Sequence, residues 1–222
     1  SVNRTLFEKH IPSLLGLGFQ VIPCYNAEPH RDFKEVNKTH PVLPKGWNAY
    51  ENNPFAISDC SGLNYDKMIS AMVLVPPGYV VLDLDRKDEE QAILADKVLT
   101  ELKPHLPKTF VVRTASGGYH FYYRVSRKIN AARYKGCIDI QQESLRGKGA
   151  GKTGKGVWAP GCVRDGVGEY IVVIDHEVTE LPEDVIELLE ERMTGTDAQA
   201  LVEQEIEDSG FTPVDLFPKH IG

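Results

Sequence analysis

Three things are scarce in this chain of 222 residues, and each scarcity removes a class of function. Cysteine is the first: Cys24, Cys60, Cys137 and Cys162 stand singly, with no C-x-x-C pair among them. That usage argues against a disulfide framework or a structural zinc site and suits a reducing cytoplasm. Cys24, His30 and His40 are neighbours in sequence, but their spacing matches no common zinc pattern. Long apolar runs are the second scarcity. No stretch approaches the ~20 residues needed to cross a bilayer, and the opening SVNRTLFEKH has no apolar signal core, so a cytoplasmic location without a membrane partner is expected. With Ser rather than Met at position 1, the chain is expected to be part of something longer. Positive charge is the third: Lys and Arg total 25 against 32 Asp and Glu, a net charge of −7 that gives no bulk attraction to nucleic acid. Any polyanion site must therefore be a local patch.

What is present is enough for a core, since 41% of the residues are apolar. TLFEKHIPSLLGLGFQVIPC reads as helix, glycine turn and strand, and residues 26 to 65 read as loop anchored by Trp47 and Tyr50. From GYVVLDLD onward the pattern is strand, helix (DEEQAILADKVLTELK), then strands TFVVRT, YHFYYRV, CIDIQ, GVWAPG and EYIVVI, closed by the helix PEDVIELLEER with Pro182 at its first turn. Few helices and many hairpins predict an α+β domain on a mixed, largely antiparallel sheet. The predicted organisation is a catalytic domain over 1–192 and an acidic, short-helical tail over 193–222.

RGKGAGKTGKG, 146 to 156, resembles a phosphate-binding P-loop, but Arg146 stands where its first glycine belongs. A P-loop also needs a helix next, and GKGVWAPG cannot be one. What remains is a glycine-rich, flexible loop with four cations, Arg146, Lys148, Lys152 and Lys155, which are candidates for nucleic-acid contact.

Acidic residues carry the chemistry. Strand alternation puts Asp83 and Asp85 of VVLDLD on one face and Leu82 and Leu84 on the other, and CIDIQ presents Asp139 between Ile138 and Ile140. Carboxylates gathered on one face repel unless a cation sits between them, and Mg²⁺ or Mn²⁺ bridging to substrate phosphates is the expected partner. Three such groups can hold two cations ~3.5–4 Å apart, an arrangement that activates a hydroxyl and steadies a leaving pyrophosphate. Arg86 and Lys87 follow the D-x-D, which disfavours dehalogenase-type phosphatases but leaves metal-dependent glycosyltransferases as an alternative. Between the acid strands, the turn Ala115-Ser116-Gly117-Gly118 exposes backbone N–H groups, with its glycines supplying positive φ. Ser116, His120 and Arg113 stand around it as candidate nucleotide-binding residues.

VVLDLD at 80–85, SGGYH at 116–120 and CIDI at 137–140, followed by GVWAPG, resemble in order the motifs of the primase-polymerase domain of the archaeo-eukaryotic primase superfamily. LGFQVIPC and LPKGWNAY resemble its opening strand and its Lys-x-Trp segment, so the likeness covers residues 5 to 190. The resemblance implies that Asp83, Asp85 and Asp139 bind catalytic metals and that Ser116 and His120 contact the incoming nucleotide's phosphates. It also implies an RNA-recognition-motif-like catalytic sheet beside an N-terminal α/β module. The expected activity is template-directed nucleotidyl transfer from nucleoside triphosphates on a DNA template and primer, in replication of mobile elements, with a helicase or other domain following the tail. A non-catalytic nucleic-acid module, with Tyr119, Phe121 or Tyr123 as stacking surfaces, is the other alternative.

Overall fold

The computed structural model describes residues 2–31, 38–51, 57 and 59–191, and the expected tail at 193–222 lies outside them. Helix α1 (Arg4–Gly16) is capped by Asn3, whose side chain accepts from Leu6 N, and its turn-spaced Phe7, Ile11 and Leu14 are buried. After Gly18, at φ 101°, the chain enters β1 (Gln20–Cys24). A small antiparallel pair follows, β2 (Ala27–Pro29) and β3 (Thr39–Pro41), in the region expected to be loop.

Strand β4 (Ser70–Leu74) is buried along its whole length, and β5 (Tyr79–Leu84) leads to α2 (Glu89–Leu102). Asp88 caps α2 by accepting from Gln91 N at 2.8 Å. Next come β6 (Val111–Arg113), β7 (Tyr119–Arg124), β8 (Arg133–Tyr134) and β9 (Ile138–Gln141). The chain then forms β10 (Gly156–Trp158), the short pair β11 (Val163–Arg164) and β12 (Gly168–Glu169), β13 (Ile171–Ile174), β14 (Thr179–Glu180) and α3 (Glu183–Leu189). Pro182 is the cap of α3 and lies just outside its first turn.

Two sheets result. Strands β1, β4 and β10 make an antiparallel N-terminal sheet in the order β1-β4-β10, so GVWAPG belongs here and not with the acid strands. The main sheet runs β13-β6-β7-β5-β9-β8, with β14 added in parallel beside β7. Because β7 pairs antiparallel with both β5 and β6, the unit β5-α2-β6 has parallel strands with β7 inserted between them. This is the split βαβ arrangement of an RNA-recognition-motif-like sheet, and the fold class is α+β.

Strand β5 separates two cores. Val80, Leu82 and Leu84 face a cluster formed with Leu94, Ala95, Val98 and Leu102 of α2 and with Val185, Ile186 and Leu189 of α3. Val81 faces the other way, with Val112 and Tyr122, into a cluster with α1, Val21, Val73 and Val157. The N-terminal module thus covers the sheet at the level of Val81. Asp83, one step along the same face, is only partly buried.

Candidate active site

Register brings the sequence-predicted acids together. Asp83 on β5 is the direct cross-strand partner of Asp139 on β9 and, on its other side, of His120 on β7. Arg133 on β8 pairs with Asp139 in turn, so one row across four strands reads His120, Asp83, Asp139, Arg133. Two carboxylates directly opposite one another destabilise a sheet unless their charge is compensated. Here each has a compensating partner. His120 Nε2 lies 3.3 Å from Asp83 Oδ1, Gln141 Nε2 donates to Asp83 Oδ2 at 3.3 Å, and Arg133 Nε lies 3.3 Å from Asp139 Oδ1.

Asp85 continues this line just past β5, with its backbone N–H fixed by Cys137 O at 3.1 Å. Its surroundings differ from those of Asp83. Burial, and then the charges of Asp83 and Asp139, push its carboxyl up to about 6 against the pull of Lys87, whose Nζ is 4.0 Å away. Burial would raise Asp83 too, but the hydrogen bond and charge of His120, with help from Gln141 and Lys87, reverse the sign and hold it below the ordinary carboxylate range. The pair therefore consists of one acid kept ionised and one reluctant to ionise without a further cation.

The two glycines of the turn do different work. Gly117 has φ 91°, a left-handed conformation that side chains avoid. Gly118 has no such φ, and a Cβ there would strike the Leu84 carbonyl oxygen. It is required by close approach, which corrects the expectation that both supply positive φ. The turn also spends N–H groups internally, Gly117 N on Thr114 O at 3.0 Å and Gly118 N on Thr114 Oγ1 at 2.9 Å. Ser116 is exposed at its tip.

His120 is 4% exposed, and its Nε2 engages Asp83. Arg113 pairs with Tyr119, which puts it on the sheet face opposite Asp83, yet its guanidinium reaches the turn at the strand end. A Cβ on Gly117 would lie 3.7 Å from Arg86 Nη1 and 3.9 Å from Arg113 Nη2, so two guanidinium groups flank this turn. Arg86 is held there by Gly117 O at 3.3 Å and by Asp96 of α2 at 3.0 Å.

A family model described as bifunctional DNA primase/polymerase, N-terminal, matches residues 12–184, most of the chain. The chain belongs to this primase/polymerase family. No curated protein matches it. Family membership carries primase/polymerase-type activity, with DNA and nucleotides as substrates, and gives no support to the glycosyltransferase alternative. The stacking-platform alternative meets a structural obstacle in this primase/polymerase domain. Tyr123 is buried, and Tyr119 and Phe121 pack against the helix-side core.

Backbone hydrogen bonds brace the basic loop of the primase/polymerase domain. Ser144 N donates to Thr153 O at 2.8 Å, Gly151 N to Ser144 O at 3.0 Å and Tyr50 N to Lys152 O at 3.0 Å, which ties the loop to the N-terminal module. It is followed by strand β10 and not by a helix, as the rejection of a P-loop requires. Arg146, Lys148, Lys152 and Lys155 are all exposed on it. Sequence reasoning missed three residues: Arg86, Gln141 and Arg133. For Arg86 a signal existed, a cation directly after D-x-D at a strand end, whereas Arg133 lies on a two-residue strand with no periodic pattern. No described helix is long and apolar enough to cross a membrane.

Proposed function

We propose that this domain performs template-directed nucleotidyl transfer, joining nucleoside triphosphates on a DNA template, with Asp83, Asp85 and Asp139 as the ligands of Mg²⁺ or Mn²⁺. The observation that carries this reading is the cross-strand row of Asp83 and Asp139 with Asp85 beside it. Its donor set fits such a cation: hard carboxylate oxygens, one with a pKa raised by burial and by its neighbours' charge. Among the described residues no three His, Cys, Asp or Glu side chains stand close enough together to hold a metal as they are. Loading therefore requires the carboxylates to turn from their present partners, Arg133 for Asp139 and Lys87 for Asp85.

When bound, the divalent ion supplies acidification of the attacking 3′-hydroxyl and charge neutralisation at the triphosphate. The chain's own residues do the rest. His120 and Gln141 hold Asp83 ionised and in one rotamer. Arg86, Arg113 and Ser116 at the Gly117 turn present two positive charges, that of Arg86 held by Gly117 O and Asp96, and a hydroxyl to the triphosphate, stabilising charge on the departing pyrophosphate. Asp96 holds Arg86 at the turn.

The test is extension of a labelled primer on DNA with deoxyribonucleotides and then ribonucleotides, in Mg²⁺ and in Mn²⁺. Asp83→Ala and Asp139→Ala are each expected to reduce product on the order of 10³-fold, since metal charge stabilisation is worth several kcal/mol. Wild-type synthesis by both variants would overturn the reading.

A further inference from the structure

The site above accounts for the acid row but not for a groove of about 690 Å³ at the β8 edge of the main sheet. We propose that this groove is the track of single-stranded DNA leading to the carboxylates, an assignment that rests on the polymerase reading. Its two walls are basic. Arg133 and Lys135 line it from the β8 segment, and Arg146 and Lys155 from the basic loop. Four cations from two separate segments lining one groove suit a phosphate backbone passing along it.

Charge accounting inside the groove favours a polyanion. Glu143 and Glu190 also line it, but both are neutralised from outside, Glu143 by Lys128 at 2.8 Å and Glu190 by the Arg127 guanidinium at 2.7 and 2.8 Å. Neither Arg127 nor Lys128 lines the groove. Arg133 is shared with Asp139, and Lys135 is 3.6 Å from Glu101. Arg146 and Lys155 are exposed and have no ion-pair partner among the described residues, with Glu191 the one unneutralised acid at the groove. In a chain of net charge −7, two unpaired cations on one wall mark a local anion site.

Two further facts give the groove a direction and a fixed shape. Arg133 belongs both to the groove and to the acid row, so the track opens directly beside Asp139. The loop wall is preformed: Lys155 N is bonded to Gln142 O at 3.0 Å, and an isolated bridge joins Glu143 to Gly154. Lys148 and Lys152, on the same loop, do not line the groove. The structure thus divides four sequence-equivalent cations into two that meet the strand and two that do not.

The experiment is fluorescence anisotropy of a labelled oligothymidylate across a sodium chloride series, in chelator and without nucleotide. Each phosphate contact on a single strand contributes about 0.7 to the slope of log affinity against log salt. The double variant Arg146→Ala/Lys155→Ala is therefore expected to flatten that slope by about 1.4 and to weaken binding on the order of tenfold at low salt. Arg146→Lys/Lys155→Arg is expected to keep the wild-type slope, which separates charge from folding. Lys148→Ala/Lys152→Ala is expected to leave it unchanged. A wild-type slope in Arg146→Ala/Lys155→Ala, flattening by Lys148→Ala/Lys152→Ala instead, or no binding by the wild type would overturn the track. Primer extension keeps the two readings apart. Synthesis by a wild type whose DNA binding ignores Arg146 and Lys155 removes only the groove, whereas strand binding through them without any synthesis removes only the polymerase.

Discussion

At the scale of single residues, the decisive contrast is between Asp83 and Asp85, two carboxyls of one strand end with opposite shifts. An unfolded aspartate releases its proton near pH 3.9. Asp85 in the folded protein keeps its proton until about 6. Between these values the folded state binds more protons than the unfolded one, so this group's contribution to stability falls as pH rises through that window. In chelator, Asp85→Asn is expected to melt above the wild type at pH values beyond the folded pKa, and the gap is expected to close in acid below the unfolded one. Thermal unfolding against pH checks this, and a gap that ignores pH would show that ionisation is not its source. The glycines give a second contrast. Gly117→Ala, forced into a left-handed backbone, should cost about 1–2 kcal/mol in denaturant titration and leave synthesis measurable. Gly118→Ala must move the Leu84 carbonyl, and with it Asp83 and Asp85, so it should abolish synthesis as well as lower stability.

At the scale of elements, α2 both covers the sheet and aims a side chain. Its inner positions Leu94, Ala95, Val98 and Leu102 build the core, while Asp96 on its outer side fixes Arg86 at the turn. Asp96 is 59% exposed, so its ion pair is worth at most about 1 kcal/mol to the fold. Asp96→Asn should therefore raise the KM for nucleotide severalfold with little change in melting temperature or kcat. An unchanged KM would remove Arg86 from the triphosphate site. The same elements show what a sequence can and cannot display. Alternation in VVLDLD and CIDIQ made the acid face legible, because a strand with one buried side must alternate. Strand β4, buried throughout, has no alternation to read. The two-residue β8 is too short to carry a period, so Arg133 could not be found beside Asp139 from local pattern. GVWAPG reads as a strand, but which sheet it joins is set by its pairing with β4, across more than eighty residues of chain. His120 stands out in SGGYH, yet its partner does not, because only register reveals that it faces Asp83.

At the scale of the whole molecule, the two sheets are tied through a core that Val81, Val112 and Tyr122 of three main-sheet strands enter, and through one crossing segment. Strand β5 sends Val81 into the N-terminal core and Leu82 into the helix-side core, while β10 carries chain from the basic loop back into the N-terminal sheet. Both tryptophans, Trp47 and Trp158, pack around Ile22, Met72 and Leu74 of that N-terminal sheet, so tryptophan fluorescence reports chiefly on this module. Far-UV circular dichroism is weighted toward helix, of which α2 and α3 belong to the other core. If the two modules were independent domains, the two signals would change at different denaturant concentrations. The shared core argues for a single cooperative transition with coincident midpoints. Phe7→Ala, which empties a fully buried site on α1 remote from the carboxylates, sharpens the test. It should remove about 3–5 kcal/mol and shift both signals together. A shift in fluorescence alone would mean that the N-terminal module unfolds by itself, and that the acid row keeps its geometry without the cover laid over Val81.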